Sequence, residues 1–573
     1  MASGATILAA AIQREGVGTV FSLGGAAHGR LLDALDRAGV RIISARHETA
    51  AVAAADGYAR ITDRVGFALI ISKQGLPNAV TGILAAALAC SPVVVLVVRP
   101  PLATEEPGSW LDDELVFVRP LVKRARTVPA ADRLAEYLHH ACHLARSGRP
   151  GPVVLAIPQD QLSSEGGEPA EGPLAPPAPP EPAVAAVEEA AALLATARRP
   201  LIIAGRGAAR AAAALQRLAR DFAIPVFGHS LGRGAVPEDL TLGFPWPLAQ
   251  VAAREADVVL VLGARLTERL GFGLPPRFHP AARFIQVDLE AEELQRARAI
   301  TVPIVAEVGW ATQRIAEALT RRLGGARPLS PEAPGYVLAA MANRLARIAE
   351  VGLGDEGPLH PYRVAREATA LLPPHAIVVG DGADALNWML AHLRIQEAPG
   401  YLDHYPSGSM GIGTPLAVGA AAAARELAAT SGQPPRPVVL FTGDGAFGFY
   451  LAELNSIALA QLPLRIVVLN DQAWGTERHG QQLAFGRTIN VDLGETHYDQ
   501  IARGFGLSAE QVRHPREVRP ALERLFASPG PALLDCWIDR EAGRERKQDP
   551  RLQMIPHDDI TVSRQPYRAP SVA

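Results

Sequence analysis

The sequence predicts an α/β protein of three doubly wound domains with mostly parallel sheets. Short apolar segments rich in β-branched residues recur along the chain and alternate with segments of helical periodicity. The apolar segments are nearly continuous, which is typical of strands buried on both faces of a parallel sheet. The length of 573 residues is too great for one hydrophobic core, so about three domains are expected.

Segments rich in proline or glycine divide the chain. Residues 166–182 are dominated by Pro, Ala, Gly and Glu, and such a composition predicts an extended linker. A second Gly/Pro-rich break ends at residue 335. We therefore predict an N-terminal domain over residues 1–165, a central domain over 183–335, a C-terminal domain over 336–545 and a polar tail over 546–573.

The predicted strands are the short apolar segments, and helices fill the intervals between them. The strands are expected at 19–23, 41–44, 67–72 and 93–98, at 200–204, 258–262 and 284–287, and at 376–379, 438–442, 465–469 and 532–537. Helical spacing predicts helices at 48–60, 79–89 and 449–459. Helical crossovers between consecutive strands imply parallel pairing.

The composition excludes several classes of function. Hydrophobic residues make up 48% of the chain and charged residues 20%, the profile of a soluble globular protein. A net charge of −3 argues against a nucleic acid or a membrane surface as partner. The cysteines Cys90, Cys142 and Cys536 are odd in number and widely spaced, which favours a reducing, cytoplasmic setting without a metal-binding cysteine motif. The N-terminus lacks the pattern of a signal peptide, and the apolar stretch 83–98 is broken by Ser91 and Pro92, so it is expected to form a helix and a strand.

Two acidic motifs follow predicted strands of the C-terminal domain. Asp444 lies in the run Gly443-Asp444-Gly445, and Asn470 and Asp471 follow the next strand along the chain. In an open α/β sheet, ligands bind at the carboxyl ends of the strands. Oxygen ligands of this kind suit a hard cation such as Mg²⁺, which usually accompanies phosphate.

Three further motifs lie between strands and helices. They are His47-Glu48 before the first predicted helix, the run Gly380-Asp381-Gly382-Ala383-Asp384, and the run Gly408-Ser409-Met410-Gly411-Ile412-Gly413. Backbone N–H groups of such glycine-rich loops can surround phosphate oxygens. Taken singly, Glu48 is equally explained as an acid favoured at a helix start, and Met410 as a core residue.

In this order and on these domains, the motifs resemble those of the thiamine-diphosphate-dependent enzymes of the acetolactate synthase and benzaldehyde lyase type. The resemblance covers essentially the whole chain. It implies a pyrimidine-binding, a central and a diphosphate-binding domain, with thiamine diphosphate and Mg²⁺ bound between the first domain of one subunit and the third of another. A homodimer or homotetramer acting on small carbonyl compounds is therefore expected. Gly263-Ala264-Arg265-Leu266 resembles the segment that holds FAD in acetolactate synthases, but flavin-free relatives keep it, so FAD stays open.

The resemblance assigns the metal ligands. Asp444 is the first, and the second falls 27 residues later at Asp471, where relatives usually carry Asn. The backbone carbonyl of Ala473 is the third. A shift of one residue in the comparison would exchange Asn470 and Asp471.

The resemblance also assigns the cofactor contacts. Glu48 is expected to be the catalytic carboxyl that hydrogen-bonds the aminopyrimidine ring and promotes proton removal from the thiazolium carbon, and Met410 is expected to bend the cofactor. Asp384 is an unusual neighbour for phosphate. The expected cofactor-binding residues are Gly25, Glu48, Asn78, Ala383, Asp384, Gly408, Ser409, Met410, Gly445, Ala446, Asp471, Trp474 and Gly475.

The expected substrate pocket departs from the common pattern of the family. Lys73 stands in a loop where relatives carry Gly, and either meets an anionic substrate group or is simply solvated. His28 is one place beyond the histidine of benzaldehyde lyase and is interpreted as a packing or helix-start residue rather than an acid or base. Trp110 stands at the position where many relatives carry a glutamine, so a bulky aromatic residue replaces a polar one. The expected pocket residues are Ala26, Ala27, His28, Lys73, Gln74, Ser109, Trp110, Trp474, Glu477 and Gly480.

The function that the resemblance implies is that of a carboligase or lyase. It would form or cleave a C–C bond next to a carbonyl of a 2-keto acid or 2-hydroxy ketone, through an enamine intermediate. A 2-keto acid decarboxylase or a 2-hydroxyacyl-CoA lyase on the same scaffold is the alternative. A paralogue that binds the cofactor without turnover is a third hypothesis, against which Glu48, Asp444 and Met410 argue.

Overall fold

The computed structural model describes residues 2–104, 113–167, 172–175 and 178–555. Within these ranges it contains three parallel sheets of six strands and a short antiparallel pair, Ala2–Ser3 with Glu165–Gly166. The predicted fold class is confirmed. None of the helices in these ranges combines the length and the apolar character that crossing a bilayer requires.

The first sheet forms the N-terminal domain. Its strands, from edge to edge, are Arg41–Ser44, Thr19–Ser22, Gly66–Ile71, Val93–Arg99, Val153–Pro158 and Arg124–Thr127. The helices of this domain are Gly4–Arg14, Gly29–Arg37, Glu48–Thr62, Gly75–Leu88, Leu134–Arg146 and Gln159–Ser163. Every residue of Val93–Val98 is at most 1% exposed, as expected for a strand covered by helices on both faces.

The third sheet, in the C-terminal domain, repeats the strand order of the first. Its strands are Tyr401–Asp403, Ile377–Gly380, Val438–Gly443, Leu464–Asn470, Ala532–Trp537 and Ser508–Val512. Its helices are Gly335–Glu350, Pro361–Leu371, Ala383–His392, Gly413–Ser431, Asp444–Gly448, Glu453–Leu459, Gly475–Phe485, Tyr498–Gly504, Pro515–Ala527 and Ala542–Gln548. In both sheets the strand order reverses between the first and third strands along the chain, and such a switch point is where open sheets bind ligands.

The central sheet has a different order. Its strands are Gly243–Pro245, Val226–Gly228, Pro200–Ala204, Val258–Leu262, Arg283–Asp288 and Val302–Val305. Its helices are Val184–Ala195, Arg206–Arg210, Ala212–Phe222, Trp246–Ala249 and Val308–Leu323. This is the strand order of dinucleotide-binding domains, whose ligand lies between the first and fourth strands.

The predicted strands are present in the structure, with ends that differ by one residue at most. The helix predicted at 449–459 begins only at Glu453 and ends at Leu459; residues 449–452 form a turn after the short helix Asp444–Gly448. The boundary expected between residues 545 and 546 falls inside the helix Ala542–Gln548.

Two helices join the N-terminal and C-terminal domains at very close range. A Cβ added to Gly57 would lie 2.2 Å from the carbonyl oxygen of Leu416, and one added to Gly419 would lie 1.9 Å from that of Ala54. Only glycine permits this approach. Glu426 strengthens the contact, because its carboxylate accepts a hydrogen bond of 2.7 Å from the Tyr58 hydroxyl. The helix that begins at Glu48 is thereby fixed against the C-terminal domain.

Candidate active site

Glu48 is a buried carboxyl at the start of a helix. His47 has an extended backbone and its Nδ1 accepts a hydrogen bond of 3.1 Å from the backbone N–H of Thr49, which caps the helix. The Glu48 side chain is 4% exposed, and its Oε2 accepts a hydrogen bond of 3.2 Å from the Asn78 amide. A Cβ on Gly75 would lie 3.2 Å from Oε1. These contacts hold the carboxyl at the carboxyl edge of the first sheet.

The loops beside Glu48 carry the expected pocket residues of the N-terminal domain. Gly25 is extended and leads into the 3₁₀ turn Ala26–His28, in which Ala26 is exposed and Ala27 half-buried. His28 is fully buried, and burial lowers its pKa. The location fits the packing interpretation of His28 better than an acid–base role.

The loop between Ile71 and Gly75 is held by a carboxylate. Lys73 has a left-handed backbone, with φ of 55°, and its N–H donates a hydrogen bond of 2.8 Å to Glu114 Oε2. Glu114 is 4% exposed. Lys73 and Gln74 are exposed at the carboxyl edge of the sheet. Ser109 and Trp110, which were expected in the same pocket, lie outside the described residues.

Asp444 and Asp471 form a buried acidic pair at the ends of neighbouring strands. Asp444 is 3% and Asp471 8% exposed, and their side chains share a hydrogen bond. Burial raises the pKa of Asp444 to about 6. Burial and then repulsion by Asp444 and Asp384 raise the pKa of Asp471 well above its ordinary value. The raised pKa values favour a proton between the two carboxyls, and a divalent cation would suit the same oxygens.

Asn470 lies on the other side of this strand end. Its amide donates hydrogen bonds of 3.0 Å to the Thr496 carbonyl and to Asp535 Oδ1. Of the two adjacent residues, it is Asp471 that faces Asp444. The following turn is fixed by a hydrogen bond of 2.8 Å from the Trp474 N–H to the Val491 carbonyl, which positions the backbone of Ala473 beside the acidic pair.

Two glycines beside the acidic pair leave space that the side chain of any other residue would fill. A Cβ on Gly475 would lie 2.3 Å from Asp471 Oδ2, and one on Gly445 would lie 2.7 Å from the Trp474 ring. Carboxylate oxygens and glycine backbone without side chains lie next to each other here. The residues therefore fit a hard cation and an attached diphosphate.

Asp381 ties the two glycine-rich loops together. Its fully buried carboxylate accepts backbone hydrogen bonds from Gly382 at 2.7 Å, Gly413 at 2.8 Å and Gly411 at 3.2 Å. Ala383 opens the following helix, and Gly408, Ser409 and Met410 lie on the second loop. The sequence analysis assigned no role to Asp381, although its place between two glycines was visible.

Asp384 is surrounded by polar groups that the sequence analysis missed. The Thr476 hydroxyl and the Arg546 guanidinium each donate to its Oδ1 at 2.5 Å. Ligand atoms of Asp384, Asp471 and His479 lie within 4.8 Å of one another. Arg546 is 5% exposed and comes from the segment expected to be a tail. Its positive charge offsets the negative charge of Asp384.

Glu477 and Gly480 complete the expected pocket residues. Both lie on the helix Gly475–Phe485, where Glu477 is exposed and a Cβ on Gly480 would lie 3.3 Å from Lys547 Nζ. Ala446 is buried in the short helix Asp444–Gly448. The contacts described for Glu48 thus lie in the N-terminal domain, and those of Asp444 lie in the C-terminal domain.

A buried pair of carboxyls beside glycine loops, at the switch point of a parallel sheet, is typical of enzymes that hold a phosphate-bearing cofactor through a metal ion. Comparison with known families agrees with this class. The chain belongs to the thiamine pyrophosphate enzyme family. Residues 2–118 match its N-terminal TPP binding domain, 187–315 its central domain and 381–536 its C-terminal TPP binding domain.

Similar proteins span nearly the same length. The chain is 33% identical over 555 residues to an acetolactate synthase large subunit of Mycobacterium tuberculosis, covering 95% of this chain and 97% of that one. It is 28% identical over 565 residues to 2-hydroxyacyl-CoA lyase 1 of Homo sapiens, covering 95% and 96%. It is 29% identical over 559 residues to the acetolactate synthase isozyme 2 large subunit of Escherichia coli, covering 94% and 96%.

Proposed function

We propose that this thiamine diphosphate enzyme also requires Mg²⁺ and forms or cleaves a C–C bond next to a carbonyl, as a carboligase or lyase of the acetolactate synthase or benzaldehyde lyase type. The buried Glu48 carboxyl, fixed by Asn78 at a helix start, is the observation that carries the proposal. A 2-keto acid decarboxylase or a 2-hydroxyacyl-CoA lyase remains the second candidate, because the human lyase is similar over nearly the whole chain.

The C-terminal domain would hold the metal and the diphosphate. Asp444, Asp471 and the Ala473 carbonyl would bind Mg²⁺, since all three offer oxygen at one strand edge. The diphosphate would lie against the backbone of Gly445, Ala446 and the Ala383 loop. Met410, on the loop tied down by Asp381, would support the thiazolium and pyrimidine rings.

The bound cofactor supplies a carbanion and an electron sink. The chain's own contribution begins with Glu48. Because Oε2 accepts from Asn78, Oε1 is the oxygen available to share a proton with the aminopyrimidine ring. Trp474 and Phe449, whose ring centroids are 6.0 Å apart, would form an apolar wall that excludes water once a second subunit covers Phe449.

A homodimer or homotetramer would complete the site. Support comes from the separation of Glu48 and Asp444 into different domains and from two exposed apolar side chains. Phe449, beside Trp474, is 56% exposed, and Phe485, at the end of the helix Gly475–Phe485, is 67% exposed. Light scattering of the purified protein tests this assembly. A monomer with full activity would contradict it.

FAD or another nucleotide is a candidate ligand of the central domain. The support is a cavity at the switch point of the central sheet, lined by Gly205, Arg206, Gly263, Arg265 and Asp288. A yellow protein that releases flavin on denaturation would identify FAD. A colourless protein would leave the site to a nucleotide without flavin.

The decisive experiment for catalysis is Glu48→Gln. The amide keeps the size of the side chain but cannot share a proton in the same way, so kcat is expected to fall by about 100-fold to 10,000-fold. Glu189→Gln, an exposed Glu-to-Gln change in the central domain, is the matched control. Quenching of tryptophan fluorescence by thiamine diphosphate should persist in both variants.

The outcomes separate the hypotheses. Wild-type activity in Glu48→Gln at saturating cofactor would refute the assignment of Glu48. Product analysis with pyruvate, benzoin and a 2-hydroxyacyl-CoA distinguishes carboligase, lyase and decarboxylase. Fluorescence quenching without turnover of any of them would indicate a cofactor-binding paralogue.

A further inference from the structure

We propose that Lys73 is a specificity-determining residue, selecting carbonyl substrates that carry an anionic group which survives the reaction. The inference rests on the proposed function. It concerns a carboxylate or phosphate at the far end of the substrate, not the carboxylate that a 2-keto acid loses as CO₂.

The backbone of Lys73 is the first observation. Its φ of 55° lies in the left-handed region, which disfavours any residue with a Cβ. A buried carboxylate enforces this conformation, because Glu114 Oε2 accepts the Lys73 N–H at 2.8 Å and Arg99 Nε lies 3.8 Å from Glu114 Oε1. Glycine would form the same loop without strain. Strained residues held by their surroundings cluster at functional sites.

The position of Lys73 is the second observation. It follows the strand Gly66–Ile71 at the carboxyl edge of the sheet, where the neighbouring strand Thr19–Ser22 ends in the Gly25 loop. Gly75, two residues later, borders Glu48 Oε1. Lys73 is therefore on the loop that borders the proposed catalytic carboxyl at the carboxyl edge of the sheet.

The ammonium group is the third observation. The Lys73 side chain is exposed, and none of the ion pairs of the described residues includes it. An unpaired cation whose backbone is fixed is available to an anionic ligand.

The chemistry decides which anion it suits. During decarboxylation the negative charge leaves the carboxylate, so a cation bound to that carboxylate would stabilise the ground state more than the transition state. A cation beside an anionic group that keeps its charge throughout the reaction stabilises the ground state and the transition state equally. Its effect therefore appears in KM. Lys73 is thus expected to discriminate between substrates by their distal charge.

Matched substrates test the inference. 2-Oxoglutarate and 2-oxopentanoate have equal chain lengths and differ in the distal carboxylate, and glyceraldehyde 3-phosphate and glyceraldehyde test a phosphate on the acceptor. The wild-type kcat/KM should favour the anionic member of at least one pair by about tenfold, mainly through KM. The pair that shows the preference identifies carboxylate or phosphate as the recognised group.

The variants separate charge from loop structure. Lys73→Met should lower kcat/KM for the anionic member of the pair by far more than for the neutral member, so that the preference is lost, and Lys73→Arg should retain the preference. Lys73→Gly should lose the preference yet melt no lower than wild type, since glycine accepts the left-handed backbone. Arg322→Met, which removes an exposed cation from the central domain, is the control.

A binding measurement makes the test independent of turnover. Glutarate, pentanoate and inorganic phosphate are each titrated calorimetrically into protein loaded with thiamine diphosphate and Mg²⁺. Glutarate or phosphate binding that depends on Lys73 supports the inference even if no keto acid is turned over, in which case the proposed function fails instead. An unchanged preference in Lys73→Met, or no preference in the wild type by either measurement, overturns it.

Discussion

Replacing Gly475 by alanine is a sensitive test of the proposed metal site. The added Cβ would lie 2.3 Å from Asp471 Oδ2 and 2.9 Å from Asp384 Oδ2, whereas ordinary contacts of this kind begin near 3.4 Å. The Asp471 carboxylate must therefore retreat by about 1 Å, and a misplacement of that size can cost about 100-fold in a positioned site. This corresponds to about 3 kcal/mol.

The assay is a Mg²⁺ titration of tryptophan fluorescence in the presence of thiamine diphosphate, followed by kcat/KM. Gly475→Ala is expected to require about 100-fold more Mg²⁺ for half-saturation, with activity partly restored at high metal concentration. Gly480→Ala on the same helix is the control, because its Cβ would meet only the flexible end of Lys547 at 3.3 Å. If Gly475→Ala shows the wild-type Mg²⁺ dependence, Asp471 is not a metal ligand.

Two further predictions concern charge at the same site. Because burial raises the pKa of Asp444 to about 6 and that of Asp471 above its ordinary value, the folded metal-free protein binds these protons more tightly than the unfolded chain. Their contribution to stability should be full below the unfolded pKa of about 4 and should be lost as pH rises through about 6, so stability should change with pH differently from that of Asp471→Asn; melting in EDTA between pH 5 and 8 measures this, and equal slopes would contradict it. Arg546→Met should weaken thiamine diphosphate binding by about tenfold, since it leaves the Asp384 carboxylate without its cation, whereas the exposed Arg544→Met should not. Equal affinities in calorimetry would show that Arg546 does not neutralise the site.

The parts of the fold that were predictable are those in which burial alone determines the residue type. The strand Val93–Arg99 is apolar because helices cover both faces, and the same holds for Val258–Leu262. The edge strand Arg124–Thr127 was missed because three of its four residues are charged or polar and two of the four are exposed. The three-residue strand Tyr401–Asp403 is too short to show a period.

The expected helix at 449–459 failed for a different reason. Its apolar residues have helical spacing, but Phe449 is 56% exposed, so the pattern reflects a surface patch as much as a core-facing stripe. Periodicity does not distinguish an apolar face buried inside one chain from an exposed one. In the structure the first four residues of this segment form a turn, and only Glu453–Leu459 is helical.

Within the candidate site, sequence motifs identified residues that lie close together along the chain. Only the fold showed which charged side chains from distant parts of the chain contact each other. Asp471 and Asp384 each add a negative charge next to the proposed diphosphate, so from sequence alone Asp471 changes the electrostatics of the site and Asp384 is an unusual neighbour for phosphate. Arg546 lies 162 positions from Asp384 along the chain and donates to the same oxygen as Thr476. A segment that composition predicted to be a tail therefore supplies the compensating cation. Because that compensation depends on the helix Ala542–Gln548 staying in place, the extra acids make cofactor binding dependent on the docking of the C-terminal segment.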